Sequence, residues 1–213
     1  MAHSQTAGRG RRARPWVSPR GNFYGSLILQ PVEPAAQVAL RSFVAALAVR
    51  QAFVALTGLA QGFALKWPND VLLNGGKVAG ILLETTGTVQ GVAHLAVGIG
   101  VNLISAPDAQ AVEPGATPPV SLLAETGLRV DPEAFLEVLA PAFARLETVF
   151  ATSGFAPIRA EWLAHAARLG EVITARTGTA TRTGTFQTVD DAGNLILITA
   201  TGPVAIPAAE VFF

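Results

Sequence analysis

The chain has 213 residues, of which half are apolar and 14% are charged, with a net charge of zero and no cysteine. This composition excludes a disordered chain and leaves room for one ordinary domain with a small appendage. The lack of cysteine excludes disulfides, a thiol nucleophile and thiolate-bound metal, and it is compatible with a reducing cytosol. A balanced charge gives no general attraction to nucleic acid.

The first part of the chain predicts a strand followed by a long helix. Residues 22–29 are rich in aromatic and aliphatic side chains, which favours a strand. Pro34 opens a helix that ends before Gly58, because proline suits a first turn and glycine a helix end. The helix is apolar, but Arg41 and Arg50 would each cost roughly 2.5–3.5 kcal/mol at bilayer depth. We therefore predict a buried helix of a soluble, cytoplasmic protein.

The middle of the chain predicts two further strands and a hairpin. Residues 62–67 read as a short strand that a Pro-Asn-Asp sequence turns back. Residues 71–84 pass through Gly75-Gly76 and read as a β-hairpin. Residues 91–102 are an apolar run with glycines, which indicates a central strand whose backbone is closely approached by another group.

A proline-rich connection leads to two helices and a small β unit. The prolines of the connection are Pro107, Pro114, Pro118 and Pro119. Asp131 caps a helix that has Pro132 in its first turn and runs over 133–150, and a second helix covers about 156–166. From Leu169 onward, short Thr/Val/Ile runs broken by glycines predict a barrel-like all-β module.

Residues 8–16, GRGRRARPW, place four arginines in nine residues of a chain that is otherwise poor in charge. We name this segment the arginine loop. Its glycines allow the backbone to approach a ligand closely, and Arg9, Arg11 and Arg12 offer forked donors for carboxylate or phosphate oxygens. A solvated basic arm that binds polyanions, including nucleic acid, has the same pattern. The loop by itself leaves both functions open.

The only two lysines, Lys66 and Lys77, flank an isolated carboxylate. Asp70 is the only acid between Glu33 and Glu84. It suits contact with Mg²⁺ or a polar ligand, or an Asx-turn with a salt bridge. Lys77 begins a predicted strand and either places a compact positive charge in a cleft or extends into water from a surface hairpin.

Four motifs follow one another in the order RGRR (9–12), KWPND (66–70), KVAGILLE (77–84) and GIGVN (98–102). With the C-terminal module, they resemble the biotin protein ligases, also called biotin–[acetyl-CoA-carboxylase] ligases. The resemblance implies an α+β fold, in which a mixed β-sheet with packed helices forms a catalytic domain over 1–167 and an SH3-like β-barrel covers 168–213. It also implies that biotin is activated by ATP and Mg²⁺ as biotinyl-5′-AMP, and then transferred to a lysine of a biotin carboxyl carrier protein.

The resemblance assigns roles to individual residues. Lys77 and Arg11 are expected to be catalytic, Lys77 at the biotin carboxylate and α-phosphate and Arg11 in a loop that folds over the ligands. Arg11 also belongs, with Gln5, Arg9 and Gly10, to the residues expected on the biotin side. The other expected ligand-binding residues are Lys66, Asn69, Asp70 and Asn102 on the nucleotide and metal side, and Gly80 in the third motif. Trp16 and Trp67 are expected either to form apolar walls of the ligand site or to belong to the core. The sequence singles out no metal ligands.

Two departures from the family pattern qualify this expectation. The family loop has glycine where this chain has Ala13, and the family's catalytic domain begins earlier, with a Ser-Thr-Asn/Asp stretch at the biotin head group. We therefore expect an N-terminally truncated catalytic domain and leave its activity open. We expect no binding to DNA or membrane, and an exposed sheet edge that serves either carrier docking or homodimerisation. The alternatives are a lipoate or octanoate ligase, and a non-catalytic protein that binds biotin or a polyanion.

Overall fold

The computed structural model describes residues 1–88, 91–108, 112 and 115–213; Pro114 of the predicted connection lies outside these ranges. The main sheet has five strands in the order β1-β5-β4-β3-β2. They are β1 (Phe23–Leu29), β2 (Phe63–Lys66), β3 (Asp70–Leu73), β4 (Gly76–Thr88) and β5 (Gly91–Val101). The strands and the hairpin predicted from the sequence are thus confirmed, and β5 lies between two neighbours as expected.

All strand pairings described in the main sheet are antiparallel. The α+β class is confirmed, but the expectation of a mixed sheet is wrong in this respect. Tight turns join β2 to β3 and β3 to β4, and a tight turn can connect only antiparallel neighbours, because a parallel pair needs a long crossover.

Within the described ranges, a 3-10 turn covers Arg11–Ala13 and five α-helices accompany the sheet: α1 (Ala35–Val38), α2 (Arg41–Thr57), α3 (Leu122–Thr126), α4 (Pro132–Ser153) and α5 (Phe155–Ala164). The single helix predicted between Pro34 and Gly58 is in fact α1 followed by α2. At the junction the backbone hydrogen bonds follow the 3-10 pattern, in which Leu40 N–H donates to the carbonyl of Gln37 three residues earlier. Arg41 follows this tightened turn and is buried between the carboxylates of Glu33 and Glu147, at 2.9 and 2.7 Å.

Helix α2 is the centre of the core, packed between α4 and the sheet. Among the described residues, Ala35–Thr57 is the one segment long and apolar enough to cross a membrane, and 67% of its apolar window is buried inside the fold. Aromatic rings join the layers: Phe53 of α2 stacks on Phe63 of β2 with centroids 4.7 Å apart, and tilts against Phe135 of α4 at 5.2 Å. This packing fixes the open face of the sheet on the opposite side.

The predicted C-terminal β module is present as a second antiparallel sheet of five strands in the order β10-β6-β7-β8-β9. The strands are β6 (Val172–Arg176), β7 (Thr181–Val189), β8 (Leu195–Thr199), β9 (Gly202–Ile206) and β10 (Glu210–Phe212). Trp67 Nε1 donates a hydrogen bond of 3.0 Å to the carbonyl of Gly193, and Arg159 forms an ion pair with Asp191. These contacts hold the second sheet against the first part of the chain, with β10 nearest the arginine loop.

Candidate active site

A cavity of about 670 Å³ lies between the arginine loop, the open face of the main sheet and β10. That volume is in the range of small-molecule sites. The cavity is lined by all ten residues expected to bind ligands: Gln5, Arg9, Gly10, Arg11, Lys66, Asn69, Asp70, Lys77, Gly80 and Asn102. Residues from distant parts of the sequence therefore lie around one cavity, as the resemblance predicts. Their catalytic roles stay predictions.

The arginine loop forms a tight hairpin over the cavity. Gly10 N–H donates to the carbonyl of Arg14 at 2.8 Å, and Trp16 N–H donates to the carbonyl of Gly8 at 2.9 Å. Arg12 and Ala13, at the tip, have φ values of +57° and +58°. This left-handed conformation favours glycine, the residue that the family resemblance leads us to expect at the position of Ala13.

Arg11 extends from the hairpin and contacts two other parts of the fold. Its Nη1 donates long hydrogen bonds to Asn69 Oδ1 at 3.4 Å and to the carbonyl of Ala209 at 3.3 Å. Burial lowers the pKa of Arg11, and the carboxylate of Asp70 opposes that effect. Because the ordinary pKa of arginine lies far above neutral pH, the side chain stays charged, and the cavity contains a partly desolvated cation.

Asn69 fastens the turn between β2 and β3 to strand β4. Its Nδ2 donates to the carbonyl of Ile81 at 2.6 Å, and Ile81 N–H donates back to the carbonyl of Asn69 at 2.9 Å. The next residue, Asp70, has its carboxylate 2.7 Å from Lys77 Nζ. Of the roles left open for Asp70, the structure shows the salt bridge.

A β-bulge turns Lys77 into the cavity. The register between β3 and β4 shifts so that Val78 is left without a partner, while Lys77 is opposite Leu72 and Ala79 opposite Val71. One extra residue places Lys77 and Gly80 on the same face, although they are three positions apart. A Cβ on Gly80 would be 3.3 Å from Lys77 Cε, so the glycine leaves room for the lysine stem. The alternative of a surface lysine extending into water is wrong.

Trp16 forms the floor of the cavity. A Cβ on Gly100 would be 2.7 Å from the indole, and one on Gly80 would be 3.2 Å away. The close approach predicted for the glycines of β5 is therefore made by Trp16, whose ring centroid is 5.5 Å from Lys77 Nζ. Trp67 also lines the cavity but is 3% exposed and acts mainly as a core residue.

Lys66 is 7% exposed, and its Nζ donates to Thr117 Oγ1 at 2.6 Å. Burial lowers its pKa, and the carboxylate of Asp70 counteracts this. The ring of Phe213 lies 4.6 Å from Nζ, a cation–π contact that the sequence did not suggest. Lys66 is thus a buried cation that protein groups hold in one orientation.

The remaining predicted residues contribute polar groups to the walls. Gln5 Oε1 accepts a hydrogen bond of 2.7 Å from Ser18 Oγ. Asn102 is 2% exposed and donates from Nδ2 to the carbonyl of Val120 at 3.1 Å. Within the described residues its Oδ1 has no partner, which leaves a buried acceptor on a residue that lines the cavity.

The sequence reasoning missed the contribution of the second sheet. Ala209, Glu210 and Val211 line the cavity, and the carboxylate of Glu210 faces arginines of the loop. The only available signal was the large excess of arginine in the loop, which calls for an acidic partner somewhere in the chain. Across the described part of the chain there is no group of three or more acidic, histidine or cysteine side chains that could hold a metal.

Comparisons with known proteins agree with this geometry. Residues 1–102 match the Biotin/lipoate A/B protein ligase family, and residues 169–213 match the Biotin protein ligase C terminal domain. These matches define the class as the biotin and lipoate protein ligases. The chain is 62% identical to the biotin--[acetyl-CoA-carboxylase] ligase of Paracoccus denitrificans, over 100% of this chain and 89% of that protein. The chain therefore belongs to the biotin protein ligase family.

Two further relatives place the chain within the family. It is 34% identical to the bifunctional ligase/repressor BirA of Bacillus subtilis over 99% of this chain, which corresponds to 64% of that protein. The structure of the biotin protein ligase from Aquifex aeolicus in complex with biotin and ATP superposes with a TM-score of 0.83 at 27% identity, covering 98% of this chain and 85% of the other. The fold of the catalytic part and the second sheet is thus the family fold.

Proposed function

We propose that this protein activates biotin with ATP as biotinyl-5′-AMP and transfers the biotinyl group to a lysine of a biotin carboxyl carrier protein, such as that of acetyl-CoA carboxylase. The observation that carries the proposal is the convergence of Lys77, Lys66 and Arg11 around Asp70 in one cavity, in a chain of this family. Both substrates of the first step are anions, and fixed cations are what such a step requires.

In the first step a carboxylate oxygen of biotin bonds to the α-phosphorus of ATP, and the bond from that phosphorus to the bridging oxygen breaks, releasing pyrophosphate. Lys77 offsets the charge that builds up on the α-phosphate, with its position set by Asp70 and the bulge. In the second step the neutral amine of the carrier lysine attacks the acyl carbon. AMP leaves with the bonding pair, and the nitrogen gives up a proton.

The fit of Mg²⁺ to the site depends on oxygen donors. Asp70 supplies one carboxylate, and Asn102 supplies an amide oxygen that has no partner within the described residues. Magnesium commonly binds through one or two protein oxygens together with substrate phosphates and water, so this small donor set fits it. When bound, Mg²⁺ would neutralise phosphate charge, and Lys66 would contact the nucleotide while Arg11 lies over the biotin side.

The arginine loop excludes water from the acyl-adenylate, which is a reactive mixed anhydride. Arg11 supports this role, because it links the loop to Asn69 on one side of the cavity and to Ala209 on the other. The same contacts argue against a nucleic-acid arm, since the guanidinium groups of Arg11 and Arg14 are engaged with protein groups. We propose the carrier as macromolecular partner, without DNA or membrane.

We assign the catalytic domain to residues 1–167 and the small β domain to 168–213, which accords with the family match that starts at residue 169. A cytoplasmic location is proposed on the absence of cysteine and on the burial of α2. Strand β1 lies at the outer edge of the main sheet, where Ala2 pairs with it at Tyr24, and we propose the remainder of this edge as the surface for a carrier domain or for a second copy of the chain.

The test is pyrophosphate release with MgATP and biotin, mass-spectrometric detection of biotinyl-adenylate, and labelling of a purified carrier domain. We expect all three to depend on biotin and to resist competition by lipoate. Preference for lipoate would move the chain to the other branch of its class. Ligand binding without pyrophosphate release would make it a non-catalytic biotin-binding protein.

A further inference from the structure

Three arginines from two parts of the chain converge on one carboxylate at the start of β10. Arg14 contacts Glu210 through both guanidinium ends, with 2.9 Å between its Nη2 and Oε2, and Arg12 Nη1 lies 3.4 Å from the same oxygen. Arg176 Nη2, on the neighbouring strand β6, is 3.1 Å from Oε2. We propose that Glu210 is a positioning residue, a latch through which the second sheet holds the arginine loop closed over the cavity.

The loop needs an external anion because its own charges repel one another. The pKa of Arg11 is lowered first by burial, and Arg12 and Arg14 lower it further, while Asp70 and Glu210 act in the opposite direction. The loop contains no acid of its own. Removing the charge of Glu210 therefore leaves the loop's cations facing Arg176 without the carboxylate that holds them together.

Glu210 is well placed for this role because its strand holds it in position. It is paired with Arg176 in the register between β10 and β6, and its side chain is 19% exposed. A carboxylate fixed by a strand can accept a bidentate arginine with little further loss of side-chain freedom. By contrast, an isolated ion pair on the surface contributes little to stability, because two flexible side chains lose conformational entropy when they form it.

The loop conformation itself opposes closure, which makes an anchor necessary. Arg12 and Ala13, between Arg11 and Arg14 at the tip of the loop, lie at left-handed φ values, which cost free energy for residues other than glycine. The loop contacts the main sheet through the long Arg11–Asn69 bond of 3.4 Å and rests on it with Trp16. The contacts to Ala209 and Glu210 in the second sheet are therefore the ones that span the mouth of the cavity.

A consequence for the reaction follows, and it rests on the proposed function. If the loop retains the acyl-adenylate, then the second sheet controls how long the intermediate stays bound, although it contributes no group to the bond-making steps. Loss of the latch should raise the rate at which biotinyl-adenylate escapes into solution, with a smaller effect on the affinity for biotin itself.

Limited trypsin digestion tests the latch without any ligand. Cleavage after Arg9, Arg11 or Arg12 is followed by mass spectrometry, with cleavage after Arg20 as internal reference; Arg14 precedes proline and is resistant. In Glu210→Gln we expect loop cleavage to be about fivefold faster, which corresponds to a loss of ~1 kcal/mol in the free energy that favours the closed loop. Glu210→Asp keeps the charge and should restore part of the protection.

The matched control is Asp191→Asn. It removes the ion pair between Asp191 and Arg159, which also connects the second sheet to the first part of the chain but lies away from the arginine loop. It should leave loop cleavage unchanged. Equal cleavage of wild type and Glu210→Gln, with both folded by circular dichroism, would overturn the latch, as would equal effects of Asp191→Asn and Glu210→Gln. If the latch variants behave as expected but wild type forms no adenylate, the latch stands and the proposed function is wrong.

Discussion

Lys77→Ala removes a positive charge that lies 2.7 Å from Asp70 and borders the cavity through Trp16 and Gly80. We expect adenylate formation to slow by at least tenfold. The backbone should be unaffected, because the strand contacts of Lys77 are made by its N–H and carbonyl, with Pro118 and Val120. Asp70 keeps Arg11 and Lys66 as neighbouring cations, so its charge is not left uncompensated.

The magnitude follows from the position of the ammonium. A unit charge about 4 Å from a developing negative charge contributes about 1 kcal/mol in bulk water and about 4 kcal/mol at an effective dielectric constant near 20. The Lys77 side chain is 27% exposed, so the value should fall between those limits. Since about 1.4 kcal/mol corresponds to a factor of ten, a loss of about tenfold to a hundredfold is expected.

The assay is single-turnover formation of biotinyl-adenylate with saturating MgATP and biotin. Lys77→Met keeps an apolar stem of similar length and should be as slow as the alanine variant, whereas Lys77→Arg keeps the charge and should lose less. If Lys77→Met forms the adenylate within about threefold of the wild-type rate, a loss below ~0.7 kcal/mol, the charge stabilisation assigned to Lys77 is refuted.

Three further outcomes are expected. Arg11→Gly should release biotinyl-adenylate faster, measured by filtration of a preformed complex, because both links of Arg11 across the cavity are lost; retention equal to wild type would rule out the lid. Ala13→Gly should raise the free energy of unfolding in urea by roughly 0.5 kcal/mol. Glycine removes about 1 kcal/mol of left-handed backbone strain, but it also increases the conformational entropy of the unfolded chain, which offsets part of the gain. Ala13→Val should lower the free energy of unfolding. The pKa of Glu210 is lowered, chiefly by Arg14, so its stabilising effect is present above the ordinary carboxyl pKa and is lost as pH falls through the lowered value. The difference in thermal midpoint between wild type and Glu210→Gln should therefore be constant above the ordinary carboxyl pKa and shrink as the solution is made more acidic below it; a difference that already shrinks near neutral pH would contradict this assignment.

The local motifs indicated which segments of the chain carry the candidate site. A strand, a turn and a tight hairpin each depend on a few neighbouring residues, so the loop at 8–16, the turn at Asn69 and the strand β5 could be predicted from their own composition. Together with the family resemblance they specified ten residues that the fold indeed places around one cavity. The prediction of helical structure between Pro34 and Gly58 was also correct, although the structure divides it into α1 and α2.

Tertiary structure decided the features that depend on register and docking. Whether Lys77 faces the cavity or water is set by one unpaired residue in the ladder between β3 and β4, because a shift of one residue reverses the face of a strand. The pairing of Arg14 with Glu210 joins residues 196 positions apart and exists only because the second sheet docks beside the loop. No local pattern encodes such contacts, since they arise from the burial of two surfaces against each other.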